Sequence, residues 1–302
     1  MKKLIILIST IAFFSCKTEK QTNGKLNVVC TTTMITDLVK NIGGENINIE
    51  GLMGSGVDPH LYKASEGDVS KLVDADIIFY NGLHLEGKLV EVFEKMEKTG
   101  KTPIALGEEL DTAGLIGSDY FASNYDPHVW FDIDYFKQYA EKVAAVLSEK
   151  DAENAEAYQA NLKKYLGELD TLKSEINSLI KTLPEEKRIL VTAHDAFNYF
   201  GKAYGFEVVG LQGLSTATEA GVQDVQKLSA FIIDKKIKAI FVESSVPKRT
   251  IEALQQAVKS KGHEVEIGGT LYSDALGNTG TNEGTYLGMF EYNVRTIVGA
   301  LK

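Results

Sequence analysis

From Leu26 onward, short apolar runs alternate with longer stretches of helical periodicity, and this alternation constrains the fold more than any other feature. The runs are LNVVCT (26–31), INIEGL (47–52), DIIFYN (76–81), RILVTA (188–193), FEVVGL (206–211), KAIFVE (238–243) and HEVEIG (263–268). Helical patterns lie between them at 34–42, 66–74, 86–98, 134–149, 195–203, 219–235, 249–260 and 283–301. Strands separated by helices read as βαβ units and parallel sheets. The strands are nearly all apolar, which suits sheets covered on both faces. A chain of 302 residues exceeds what one core usually holds, so two domains are expected.

One segment breaks the alternation. Between 151 and 182 there is no Pro, and Gly167 is the one Gly. Apolar residues recur in steps of three and four: Ala155, Tyr158, Leu162, Tyr165, Leu169, Leu172, Ile176 and Leu179. A continuous helix there would run roughly 48 Å at about 1.5 Å per residue. Pro184 follows as a stop signal. A coiled coil, or two helices broken near Gly167, shares the pattern; flanking strands on both sides favour a helix that links two domains.

The N-terminus reads as a secretion signal. Lys2 and Lys3 precede an apolar run from Leu4 to Phe14, and Ser15 precedes Cys16. That run is too short to span a bilayer and matches a signal-peptide core. A small residue followed by Cys resembles a bacterial lipobox, which makes Cys16 the expected lipidated first residue of the mature protein. Phe13 and Phe14 depart from the usual lipobox pattern, and an ordinary cleaved signal with a chance Cys is the alternative. Residues 17–25 (KTEKQTNGK) suit a flexible tether. With lipid on Cys16, Cys30 has no disulfide partner, and its place in LNVVCT reads as a small buried strand residue. The net charge of −10 argues against nucleic acid as a partner.

The histidines are His60, His84, His128, His194 and His263. His60 and His128 share a local pattern, Asp58-Pro59-His60 and Asp126-Pro127-His128. The proline before each imidazole fixes one backbone angle. His194 follows a strand, where parallel α/β domains bind ligands. Asp274, in LYSDALG, precedes a Gly-rich loop. Imidazole and carboxylate are the usual nitrogen and oxygen ligands for zinc and manganese. A lone His is more often structural, and an Asp before a Gly-rich loop is often a turn residue. Residue types alone therefore leave a metal site as a suspicion.

The order of motifs is more specific. VVCTTTMITDLVKNIGG, DPHLYKAS, DADIIFYNGLHLEG, DPHVWFD, VTAHDAFNYFGKAYGFEVVGLQGLST, IFVESSV and LYSDALG…GTYLGMFEYNVRTIV occur in sequence over nearly the whole chain after the signal. Together they resemble the metal-binding solute-binding proteins of bacterial ABC importers, the cluster A-I or TroA-like family. The resemblance implies two parallel-sheet α/β lobes joined by one long rigid helix, with one metal between the lobes. It divides the chain into a lipoprotein signal (1–16), a tether (17–25), an N-terminal lobe (26–150), a linking helix (151–183) and a C-terminal lobe (184–302).

Carried over by motif, the implied ligands are His60, His128, His194 and Asp274, while His84 and His263 fall outside the ligand positions. Asp58, Asp126, Asp132, Asp195 and Glu243 are candidates to orient the imidazoles, although turn formation or helix capping is the commoner role for each. The implied cargo is one Zn2+ or Mn2+, and the implied partners are an ABC permease with its ATPase and a membrane holding the anchor. A monomer outside the cytoplasm is expected. His194 stands where manganese receptors often carry Glu, which points towards zinc or a site accepting both metals. The stretch LDTAGLIGSDYFASNY lacks the His-rich loop of zinc-specialised members, which favours a manganese-or-zinc subgroup.

Two other function classes compete. A zinc hydrolase could use three His and a carboxylate with an open position for water, but neither HExxH nor Gly-x-Ser-x-Gly is present. A surface adhesin is the other, and no dedicated adhesive module is visible.

Overall fold

The computed structural model describes residues 24–118 and 125–302. The first half folds around a four-stranded parallel sheet built from β1 (Leu26–Cys30), β2 (Ile47–Gly51), β3 (Ile77–Tyr80) and β4 (Ile104–Ala105), in the order β2-β1-β3-β4. Helices α1 (Thr33–Gly43), α2 (Glu66–Asp74), α3 (Val90–Lys98) and α4 (Ile133–Lys150) accompany it. Successive strand residues point to opposite faces, and both faces are covered. Val28, Cys30, Ile77 and Phe79 enter a large core with α1 and α4. Val29 and Ile78 enter a smaller one with Leu72, Leu89, Phe93 and Met96.

Next comes α5 (Ala155–Ile180), 26 residues and about 39 Å long at about 1.5 Å per residue. It runs unbroken through Gly167. The expected helix is trimmed at its start, where residues 152–154 form a tighter 3-10 turn after the cap at Asp151. The second half repeats the βα alternation: β5 (Ile189–His194), α6 (Asn198–Tyr204), β6 (Glu207–Gln212), α7 (Val222–Asp234), β7 (Ala239–Glu243), α8 (Arg249–Ser260), β8 (Glu266–Leu271) and α9 (Tyr286–Leu301). β5 pairs with β6 and β7 with β8, both in parallel, and β5 lies beside β7.

The buried stripe of α5 (Tyr158, Tyr165, Leu169, Leu172, Ile176, Ile180) packs on α1 and α4 from the first half and on α9 from the second. One core therefore contains Leu38 and Phe136 together with Tyr286, Phe290 and Val294. The rings of Phe136 and Tyr286 stack across it at 3.7 Å and 13°. Asp37 of α1 accepts the Tyr286 backbone N–H at 2.9 Å, and burial pushes its carboxyl up to about 6. A separate cluster, including Val191, Ile232, Ile240, Val242 and Leu254, covers the other face of the second half.

Several element boundaries depart from the periodicity. β4 has two residues, too few to leave a pattern. β8 starts three residues late, because the chain turns at 261–262 and residues 263–265 lie between that turn and the strand. α6 starts at 198, since Asp195, Ala196 and Phe197 form a turn in which the Ala196 N–H bonds to His194 O at 2.9 Å.

Candidate metal centre

The repeated Asp-Pro-His triplet folds the same way twice. The His60 N–H donates to Asp58 Oδ1 at 2.9 Å, and the His128 N–H donates to Asp126 Oδ1 at 2.9 Å. Each aspartate thus closes a turn on the residue two ahead. In the second copy the same oxygen also takes the ring, with His128 Nδ1 2.7 Å away. Asp58 instead uses its other oxygen to accept the Thr216 hydroxyl at 2.5 Å, a bond from the first half to the second.

The loop carrying His128 is braced from behind. Asn81 Nδ2 donates to Pro127 O at 3.0 Å, while the Asn81 N–H and the Thr31 hydroxyl both donate to the buried carboxylate of Glu86, at 2.8 and 2.7 Å. The NGLHLEG segment therefore supports the site without supplying one of the converging side chains.

His194 ends β5, and Glu243 ends the adjacent β7. Glu243 holds His194 twice: Oε1 accepts the backbone N–H at 2.8 Å, and Oε2 lies 2.6 Å from Nδ1. With Nδ1 engaged, Nε2 is left to face the cleft. Asp274 follows β8 in a loop held by Trp130 Nε1 on Ser273 O (3.1 Å) and by the Leu276 N–H on Thr33 Oγ1 (2.8 Å). Its Oδ2 accepts the Ser245 hydroxyl at 3.1 Å.

These four side chains converge. Donor atoms of His60, His128, His194 and Asp274 all lie within 4.8 Å of one another, and no other such group occurs among the described residues. His60 Nε2 is 3.3 Å from His128 Nε2; Asp274 Oδ1 is 3.7 Å from His128 Nε2, and Asp274 Oδ2 is 3.4 Å from His194 Nε2. Donors about 2.0–2.1 Å from a tetrahedral ion stand about 3.3–3.4 Å apart, so the spacing fits a small divalent cation. Exposure is 5% for His60, 0% for His128 and His194, and 1% for Asp274, so water solvates none of them well. His194 Nε2 and Asp274 Oδ1 are buried without a hydrogen-bond partner in the protein. Orphaned polar atoms of that kind cost about 1–3 kcal/mol each unless something engages them.

The electrostatics separate three of the four converging groups. Burial alone would lower the His194 imidazole, but the carboxylates of Asp274 and Glu243 outweigh it and raise the value well above the ordinary 6.5. Burial would likewise raise Asp274, yet the facing imidazoles, His194 foremost, hold its carboxyl below the usual range. Burial lowers His60 to about 3, and the neighbouring imidazoles add to that fall. A cluster with one anionic oxygen, one neutral imidazole and one proton held on His194 is arranged to exchange that proton for a cation.

Of the candidates for orienting the imidazoles, Asp126 and Glu243 bond to rings and Asp58 to a backbone N–H. Asp132 and Asp195 do neither and take the commoner capping and backbone-bonding roles instead. Asp132 caps α4, accepting the Asp134 N–H at 2.9 Å. Asp195 accepts the Gly210 N–H at 2.6 Å, so close that a Cβ on Gly210 would meet Asp195 Oδ1 at 2.6 Å. An Asp beside a ligand in sequence need not face it in space. Sequence reading missed Ser245, Thr216, Asn198 (Nδ2 to Asp126 Oδ2, 3.1 Å) and Trp130, whose ring lies 5.3 Å from that of His128. The VESSV run after β7 was the available signal for Ser245. His84 is exposed with a left-handed φ of 67°, and His263 Nε2 is 3.3 Å from Ile237 O. Cys30 is buried at the end of β1, where burial raises its thiol; Cys16 lies outside the described residues.

The sequence matches the family described as ZnuA, zinc-uptake complex component A, periplasmic, over residues 28–300. It is 46% identical over 300 residues to the manganese-binding lipoprotein MntA of Bacillus subtilis, covering 98% of this chain and 97% of that protein. It is 48% identical over 283 residues to the zinc-binding protein TroA of Treponema pallidum, covering 92% of this chain and 90% of that protein. The solved structure of the Treponema pallidum periplasmic zinc-binding protein TroA superposes with a TM-score of 0.89 at 47% identity, covering 92% of this chain and 99% of that one. With this match along almost its full length and the two-lobed α/β fold of that structure, the chain belongs to the ZnuA/TroA family of metal-binding solute-binding proteins.

Proposed function

We propose that this protein is the receptor of an ABC importer: it binds one zinc or manganese ion between its lobes through His60, His128, His194 and Asp274 and delivers it to a membrane permease. The observation that carries the reading is the convergence of these four buried side chains, two from each half, onto one point. Two relatives of nearly equal identity are named for different metals, manganese for one and zinc for the other. A nitrogen-rich site with one carboxylate suits zinc by affinity and admits manganese by supply. The domain reading that accompanies this has lobes at 26–150 and 184–302 joined by the helix within 151–183.

Cys16 is the proposed lipid attachment, with 17–25 as the tether and the metal-binding body on the outer side of a bacterial membrane; MntA is named a lipoprotein. Among the described residues no helix is long and apolar enough to cross a membrane, so the anchor would supply the attachment. Transport rather than catalysis is the reading for the site. Asp126 and Glu243, the carboxylates behind the imidazoles, are committed to His128 and His194, and a hydrolase would need a free base near bound water. Elemental analysis of protein purified from its native host tests the proposal. One equivalent of zinc or manganese is expected; protein free of transition metal after replete growth would refute it. His60→Ala or Asp274→Ala should weaken binding by more than about 100-fold, beyond the usual cost of losing an outer partner, and calorimetry with near-wild-type affinity would remove that residue from the site.

A further inference from the structure

We propose that Thr33 and Ser55, two hydroxyls of the first half, are positioning residues for the metal: through the backbone of Leu276 they hold the loop that places Asp274 against the imidazoles. The inference rests on the receptor reading above. Asp274 lies three residues beyond β8, yet its loop is gripped from the other half of the molecule. The Leu276 N–H donates to Thr33 Oγ1 at 2.8 Å, and Leu276 O accepts the Ser55 hydroxyl at 3.0 Å. Both backbone polar groups of a residue two positions past Asp274 are therefore taken by the first half. On the near side of Asp274, Ser273 O accepts Trp130 Nε1 at 3.1 Å. Leu276 is 2% exposed, so water is poorly placed to replace either of its bonds.

The residues that make these bonds sit beside the ligands of the first half. Ser55 lies in the loop after β2 that runs on to Asp58 and His60, and Trp130 is in the 3-10 turn that follows His128. Thr33 opens α1, two residues beyond Thr31, whose hydroxyl bonds to Glu86 behind the His128 loop. The segments that carry His60 and His128 thus also fix the backbone on either side of Asp274. The rest of the loop is tied towards α9. Asn293 engages both backbone groups of Tyr272, at 2.9 and 2.7 Å, and the Gly277 N–H bonds to Glu283 O at 2.7 Å. α9 itself packs on α1 and α5. From the second half the Ser245 hydroxyl meets Asp274 and Ser273, at 3.1 and 3.0 Å. Asp274 is therefore attached to the first half through its main chain and to the end of β7 through a side-chain hydroxyl. A site of this kind needs each donor held within about 0.5 Å of its working place, and main-chain anchors on both flanks supply that.

The test is a double-mutant cycle on zinc and manganese affinity, read by chelator competition, with dissociation rates from a stopped-flow chase into excess chelator. Thr33→Val removes the acceptor at nearly constant shape and should weaken both metals about tenfold; Ser55→Ala should weaken them about threefold. The loss should lie in dissociation, with association rate constants within about twofold of wild type. Thr33→Ser keeps the hydroxyl and should restore wild-type values. In the Asp274→Ala background, read with a weaker chelator, Thr33→Val and Ser55→Ala should each cost less than about twofold, because the group they position is gone. A purely structural role would weaken binding equally in both backgrounds. That additivity, or wild-type dissociation rates in both Thr33→Val and Ser55→Ala, would overturn the proposal. Ser55 is exposed, so Ser55→Ala carries the cycle if Thr33→Val does not fold. Wild-type protein that binds neither metal would instead refute the receptor reading itself.

Discussion

Glu243→Gln is the sharpest perturbation of the site, because it preserves shape while removing one charge. Glu243 accepts the His194 N–H through Oε1 at 2.8 Å and makes a close ion-pair contact with Nδ1 through Oε2 at 2.6 Å. Glutamine offers one oxygen and one NH2, so one of the two donors must face another donor. The lost interaction is a buried contact with a charged group, on the order of 1.5–3 kcal/mol. At about 1.4 kcal/mol per factor of ten, metal affinity should fall about 10–100-fold. The loss should also depend on pH, with a sign the structure fixes. In the metal-free protein His194 holds a proton to a pH well above 6.5, with Asp274 and Glu243 as the raising charges. Below that value a metal must displace the proton, and wild-type affinity falls by about one decade per pH unit. Removing the Glu243 charge lowers the His194 value, so the variant meets proton competition only at lower pH. The two affinity curves therefore stand furthest apart at high pH and draw together on acidification. Competition titration against a fluorescent zinc chelator from pH 6 to 9 measures this. A gap that widens as pH falls, or a variant within threefold of wild type throughout, would show that Glu243 does not act on His194 as described.

Metal binding at pH 7 should release about one proton, from His194; His60, lowered to about 3, is already neutral there. Calorimetry in buffers of different ionisation enthalpy gives the number, and zero would contradict the raised His194 value. Lobe closure should be small, because Phe136 and Tyr286 stack in a core shared by both halves. Small-angle scattering should show a radius of gyration changing by no more than about 1 Å on metal addition, and a large compaction would mean that this shared core opens.

Much of the fold was legible because the two periodicities differ. Runs such as KAIFVE read as covered strands from their length and β-branched content, and the α2 and α8 patterns at 66–74 and 249–260 match the observed helices residue for residue. The linking helix was legible from its stripe, since Gly167 lowers helix propensity by about 1 kcal/mol, too little to break 26 residues packed along one face. What was not legible depended on the third dimension. β4 is too short to carry a pattern, and nothing local says that α9 returns to α1. At the site, the Asp-Pro-His echo was visible as a repeated turn, but no spacing rule joins residues 60, 128, 194 and 274. Only the order of motifs did so. Asp195 and Glu243 illustrate the limit: the nearer residue in sequence bonds to β6, and the one 49 positions away bonds to His194.

The bond from Asp37 to Tyr286 spans 249 positions, and α9 packs on both α1 and α5 in the shared core. A chain made from its first residue must therefore wait for residues 286–301 before the core that holds Leu38, Phe136 and Tyr165 is complete. The shared core cannot reach its final packing before then. The last helix acts as a latch: a nascent chain stalled short of it would present a greasy, protease-sensitive face.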